Sequence, residues 1–337
     1  MSKKAVSLSI LLAAISTCVP TRFQAVEPIS ISSPPLEERV PVQYKEGVHR
    51  AMEVRQFAID YLGFYKDSKH YTWFAEEGNN GHTLSTLLVT EKTTLPPSGK
   101  VTIEHLDRNG AYRETLDSSL YLYSEEDQLT DERDYYAREG FDTYWRSVTS
   151  YHTFGEGMGS PITPSFLNSG LVYQAQTIIH EMCHEFVEKN IGADFSSELN
   201  ESFCNLAGYA GVVEYFTQKN MPEERADALN KLDNHLEFAR KFNKAHGKIS
   251  EVYNEDISRK EKIKQRQQLF SEIQSFMGAD VNNALMWSWY PYLVHFPLMN
   301  DAYAAQGCNL NKFMTTMKDC PEDEEKALEY IREISKP

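Results

Sequence analysis

The sequence predicts an α+β fold that is predominantly helical, and three observations carry this. Short β-prone runs and turn signals are confined to residues 71–123 and to one aromatic stretch after Gly140. From Leu171 onward apolar residues recur at helical spacing with few interruptions. Residues 222–246 and 249–277 are long, charged and helix-patterned, which suggests a C-terminal helical hairpin.

Taken in order, the N-terminus has the pattern of an export signal. Lys3 and Lys4 precede an apolar run from Ala5 to Ile15 that is too short to span a bilayer. Ile15-Ser16-Thr17-Cys18 resembles a bacterial lipobox, so lipid on Cys18 would tether the mature chain to a membrane. Ordinary cleavage near Ala25 is the alternative. The expected location is therefore exported: the bacterial periplasm, or a membrane-anchored lipoprotein. Residues 26–47 hold Pro28, Pro34, Pro35 and Pro41 and are expected to form a linker, leaving 48–337 as a single domain.

Val48, Met52, Arg55, Phe57, Ile59 and Leu62 form a ragged helical stripe that stops at Gly63. Leu84–Thr90 and Val101–Leu106 are expected strands, separated by Leu95-Pro96-Pro97-Ser98-Gly99. These form the small strand-rich N-terminal part. A charged helix, 124–139, follows, and then FDTYWRSVTSYHTFGEGMGSP reads as a strand dissolving into a glycine loop. Ala175, Ile178, Ile179, Met182, Phe186 and Val187 give the next helix one apolar face, and a further helix starts near Ser196 or Ser197. Residues 280–299 and 322–334 add more helix.

The formal net charge of -15 gives no cationic footprint for nucleic acid or anionic lipid headgroups, so neither is an expected partner. Five cysteines do not make a disulfide framework. Cys308 and Cys320 could pair in an exported chain or remain free thiols, and the sequence leaves both open.

His180-Glu181-Met182-Cys183-His184 lies within the helix predicted from Leu171. Residues four apart share a helix face, so His180 and His184 can present ring nitrogens to one metal ion, with Zn2+ the expected cofactor. Glu181, about 100° further round, borders that site where a general base for a metal-activated water belongs. The apolar face is complete without the histidines.

A catalytic zinc wants a third protein ligand and an open position. A third histidine in the extended spacing is excluded, since Val187 and Asn190 stand there. The nearby acidic candidates are Glu185, Glu188, Asp194, Glu198, Glu201 and Glu214. Glu201 fits best, because Cys204, Gly208 and Gly211 continue its helix face as a stripe of small residues that lets two helices approach closely. Asn205, one turn on, is the expected partner for the outward nitrogen of a ligand histidine.

IIHEMCHEFV followed by LNESF resembles the glutamate-ligand zinc peptidases, and specifically the predicted bacterial zinc-dependent aminopeptidase family. RQFAIDYLGF, GFDTYWRSVTSYHTFG, NNALMWSWYPY and GCNLNKFMTTMK are similar in kind and order, so the resemblance covers most of residues 50–318. It implies a gluzincin-like zinc peptidase core, with His180, His184 and Glu201 as ligands and Glu181 as base. The chain departs from the family pattern at Gly208 and Ser160, where acidic residues are usual, and over 84–123.

Peptide hydrolysis would need a second electrophile for the oxyanion. Tyr151 and His152, before the glycine loop, are the first candidates, ahead of Tyr209, Tyr290, Tyr292 and His295. An aminopeptidase also needs an anchor for the substrate amine, for which Glu156 or Glu198 would serve. A zinc endopeptidase is one alternative. Another is a tethered binding or structural protein whose zinc site is structural or inactive.

Overall fold

The computed structural model describes residues 36–75, 84–95, 101–107, 110–116, 119–123, 126–148, 159–192, 195–278 and 280–336. Lys3, Lys4, Cys18, Tyr151, His152, Glu156 and Asp194 lie outside the described residues. Among the described residues no helix is long and apolar enough to cross a membrane.

Packing begins before the helix expected from position 48. A one-turn helix at Leu36–Arg39 buries Leu36, and Val40 follows it into the core. Their burial is why 36–47 is not an extended spacer. The first long helix, α1, is Lys45–Asp60, with Val48, Ala51, Val54 and Ala58 inward. Arg55, also buried, donates to the Ser68 and His70 carbonyls at 2.7 and 3.1 Å, tying α1 to the segment that follows.

The strands are β1 (Leu84–Thr90), β2 (Val101–Asp107), β3 (Gly110–Leu116), β4 (Ser119–Tyr123) and β5 (Asp142–Val148). Antiparallel β1 lies between β4 and β5, and β2 pairs separately with β3. Helix α2, Glu126–Arg138, packs beside β1 and β5, with Leu87, Val89 and Tyr136 making a small separate core.

The remaining helices are α3 (Leu171–Asn190), α4 (Ser197–Gln218), α5 (Pro222–Asn254), α6 (Arg259–Met277), α7 (Asn283–Leu293), α8 (Phe296–Ala305), α9 (Leu310–Met317) and α10 (Glu324–Ile334). Side-chain caps set many of the starts: Ser196, Ser258, Asn282, Asn309 and Asp323 each accept a first-turn N–H. The hairpin turn falls at 255–258, not at the expected break after 246. Gly247 continues inside α5, and Ser258 supplies the cap that starts α6. Helix α9 accounts for residues to which the sequence patterning assigned no element.

Helix α4 is the centre, buried from Leu199 to Phe216 against α3, α5, α7 and α8. A buried polar knot joins the sheet to the helices. Asp142 of β5 takes two bonds from Arg266 of α6, at 2.6 and 3.2 Å, and one at 3.0 Å from the Asn283 backbone. Cys308 is exposed, Cys320 is buried, and both are free thiols.

Candidate metal centre

The helix pair α3–α4 builds the site. A methyl group at Gly208 would meet the Gln176 carbonyl at 2.9 Å and His180 Cβ at 3.4 Å, and one at Gly211 would meet Ile179 at 3.0 Å. The small stripe is therefore a requirement of the contact: side chains there would push the helices apart. Held this close, α4 brings Glu201 opposite the two histidines of α3.

Glu201 Oε2 lies 3.3 Å from His180 Nε2 and 3.6 Å from His184 Nε2, and the two nitrogens are 3.1 Å apart. Among the described residues these three form a cluster able to hold a metal ion. The side chains of His184 and Glu201 retain 27% and 24% exposure, while the Glu201 Oε2 atom that faces the histidines is buried. Burial pushes the His180 ring toward neutrality, but the hydrogen bond and charge of Glu201, with help from the Glu181 charge, outweigh it and raise its pKa.

The outward ring nitrogen of His184 is held by Asn200, not by Asn205. His184 Nδ1 lies 2.9 Å from Asn200 Oδ1, which accepts only, so the proton sits on Nδ1 and Nε2 keeps its lone pair for the cluster. Cys204 Sγ–H donates to the same oxygen at 3.3 Å. Cys204 also hydrogen-bonds Cys183, and burial is the main cause of its raised pKa.

Asn205 has another task. It donates to His235 Nε2 at 2.8 Å and to the Tyr292 carbonyl at 3.2 Å. The last carbonyls of α7 lack helical partners, and side chains supply them. Ser202 donates to Pro291 O at 2.8 Å, Asn205 to Tyr292 O, and Asn243 to the Leu293 and Val294 carbonyls at 3.1 and 3.0 Å. This docks the end of α7 against α4 and sets the Tyr292 ring 6.1 Å from the His180 ring.

The other candidates are placed elsewhere or otherwise occupied. Glu185 pairs with Lys189 at 2.9 Å, and Glu214 accepts the Leu310 N–H at 2.8 Å. Neither it nor Glu188 joins the cluster. Tyr209 stacks on His235, whose Nδ1–H is 3.2 Å from its hydroxyl, and burial pushes its pKa up to about 12. Tyr290 stacks on His246, and after burial the charge of Glu198 raises its pKa, which puts Glu198 near that ring. His295 is held neutral by burial, with its pKa at about 4. Ser160 bonds His70 Nδ1 through its hydroxyl and its N–H, at 3.1 and 3.2 Å, a role in tethering 159–163 to the segment after α1.

A family model described as "Putative aminopeptidase" matches residues 122–276. The matched stretch is similar to that family from β4 through α6 and contains all three donors, and it supports peptidase function in general. No curated protein and no solved structure matches the chain.

Proposed function

We propose that the protein is a zinc-dependent aminopeptidase whose metal is held by His180, His184 and Glu201. The single observation that carries this is the donor triangle with edges of 3.1, 3.3 and 3.6 Å. A four-coordinate zinc with bonds of 2.0–2.1 Å has donor–donor edges of about 3.3–3.4 Å. Two imidazoles and one carboxylate are also a donor set that zinc accepts while leaving one position open. Cys183 and Cys204 are turned to each other and to Asn200, outside the cluster, which favours a catalytic over a closed structural site.

Zinc bound there would supply Lewis acidity, which lowers the pKa of a water to about 7 and polarises a carbonyl. Glu181, whose charge acts on His180 next to it, takes the proton of the attacking water and delivers it to the leaving amine. Tyr292, held beside His180 by the Asn205 bond to its carbonyl, is the described side chain best placed to donate to the oxyanion. Glu198, three residues ahead of Glu201 on the same helix face, is suited to hold a substrate ammonium group. The export signal and the Cys18 tether belong to the same proposal, as an enzyme working on peptides outside the cytoplasm.

The test compares a peptide bearing a free N-terminus with its N-acetylated twin. Release of the first residue from the free peptide alone, lost in Glu181→Gln and weakened in Glu198→Ala, is the expected result. Cleavage of both peptides at the same internal bonds would replace the aminopeptidase with an endopeptidase.

A further inference from the structure

The charge of the chain is strongly segregated. Residues 240–266, the facing halves of α5 and α6, carry nine Lys or Arg against four Asp or Glu, a net +5 in a chain of net -15, although one of the nine, Arg266, is buried and already paired with Asp142. Lys241, Lys244 and Lys248 stand at i, i+3 and i+7 on the exposed side of α5. Between them and α6 lies a cavity of about 230 Å³ whose apolar side is formed by Leu269, Ile273 and Phe276. Leu269 and Phe276 are only half-buried, so this apolar surface is open beneath a cationic rim.

The rim is not cancelled by its neighbours. Lys241 pairs with Glu237 at 2.5 Å and Lys248 with Glu272 at 3.7 Å, both pairs being well exposed and therefore weak. Lys244 has no acidic partner among the described residues. Lysine stems can lie along apolar surface while their ammonium groups stay in water. The result is an apolar slot with Lys241, Lys244 and Lys248 along its α5 side and Glu272 on its α6 side.

We propose that this face of the α5–α6 hairpin docks on an anionic membrane surface, with a lipid phosphate on the three lysines and the first carbons of its acyl chain in the slot. The apolar floor decides the class of partner. A nucleic acid or an acidic polypeptide would satisfy the lysines but has no regular apolar group to place between them, whereas an anionic lipid carries both parts on one molecule. Docking here is independent of the metal centre and of any lipid on Cys18.

The experiment is flotation of the full chain carrying Cys18→Ser with phosphatidylcholine vesicles and with vesicles containing phosphatidylglycerol as well. The readout is the excess binding to the anionic vesicles. That excess should be present, should fall as salt rises, and should drop on the order of a hundredfold in the triple variant Lys241→Gln, Lys244→Gln, Lys248→Gln. The same three-charge change at Lys219, Lys312 and Lys326 should leave it in place. An absent excess, or one untouched by the hairpin substitutions, overturns the proposal. So does a thermal shift with free laurate but no vesicle binding, which would make the ligand a soluble anionic amphiphile. Loss of a dimer in the triple variant, again without vesicle binding, would assign the face to a second copy of the chain.

Discussion

Asn200 Oδ1 lies 2.9 Å from His184 Nδ1, one residue ahead of Glu201, so consecutive positions of α4 supply both the carboxylate of the cluster and the group that orients one of its histidines. Removing that acceptor frees the imidazole to rotate or to change tautomer. Asn200→Ala should therefore weaken metal binding by about 10–100-fold, measured by competition with a chromogenic chelator. Asn200→Asp should bind at least as well as wild type. Equal affinity in the alanine variant would show that His184 is positioned by something else.

The close approach of α3 and α4 gives a paired test. Gly208→Ala places a methyl group 2.9 Å from the Gln176 carbonyl, and should cost about 1–3 kcal/mol in urea unfolding as the helices separate. Gly247→Ala, inside α5 with nothing within 4 Å, should instead gain up to about 1 kcal/mol from helix propensity. Similar effects from the two substitutions would mean that helix separation is not limiting at Gly208.

Asp142 and Arg266 are both nearly fully buried. Asp142→Ala leaves the guanidinium without its carboxylate and the Asn283 backbone N–H without its acceptor. A loss of about 3–5 kcal/mol is expected from the chemical denaturation midpoint. A cost below that of an ordinary surface substitution would remove the knot as the link between sheet and helices.

Burial lowers the pKa of His235, His246 and His295 to about 4, with the Arg332 charge adding to the effect at His295. Their unfolded value is about 6.5, so as pH falls from there toward 4 the unfolded chain binds protons that the folded chain refuses, and stability is lost. His180 acts in the opposite sense in metal-free protein, since its raised pKa favours the fold below pH 6.5. Three against one, the melting temperature of chelator-treated protein should fall across this window. His246→Phe, which preserves the stack on Tyr290, should flatten the profile. A profile unchanged by that variant would contradict a buried neutral imidazole.

The juxtaposition of His180, His184 and Glu201 was legible because it depends on spacing: histidines four positions apart, and small residues at one-turn intervals after the glutamate. The starts of α4 and β5 were legible for similar reasons, a serine cap and an alternating aromatic run. The exchange of Asn205 for Asn200 was not. Both asparagines lie near Glu201 on a helix, and choosing between them needs the rotation of α4 relative to α3, which only the packed pair defines. The hairpin turn lies beyond the break that Gly247 suggests, because the helix passes through Gly247 and ends only at Asn254. The α7 carbonyls held by Ser202, Asn205 and Asn243 span separations of 50 to 89 residues, which no local pattern carries.

The most direct test of the metal centre is zinc content per chain, measured by elemental analysis after dialysis, for wild type, Glu201→Ala, Glu198→Ala and Glu181→Gln. The account predicts about one zinc in wild type, Glu198→Ala and Glu181→Gln, and a strong loss in Glu201→Ala. An empty site in Glu198→Ala with full occupancy in Glu201→Ala would contradict it.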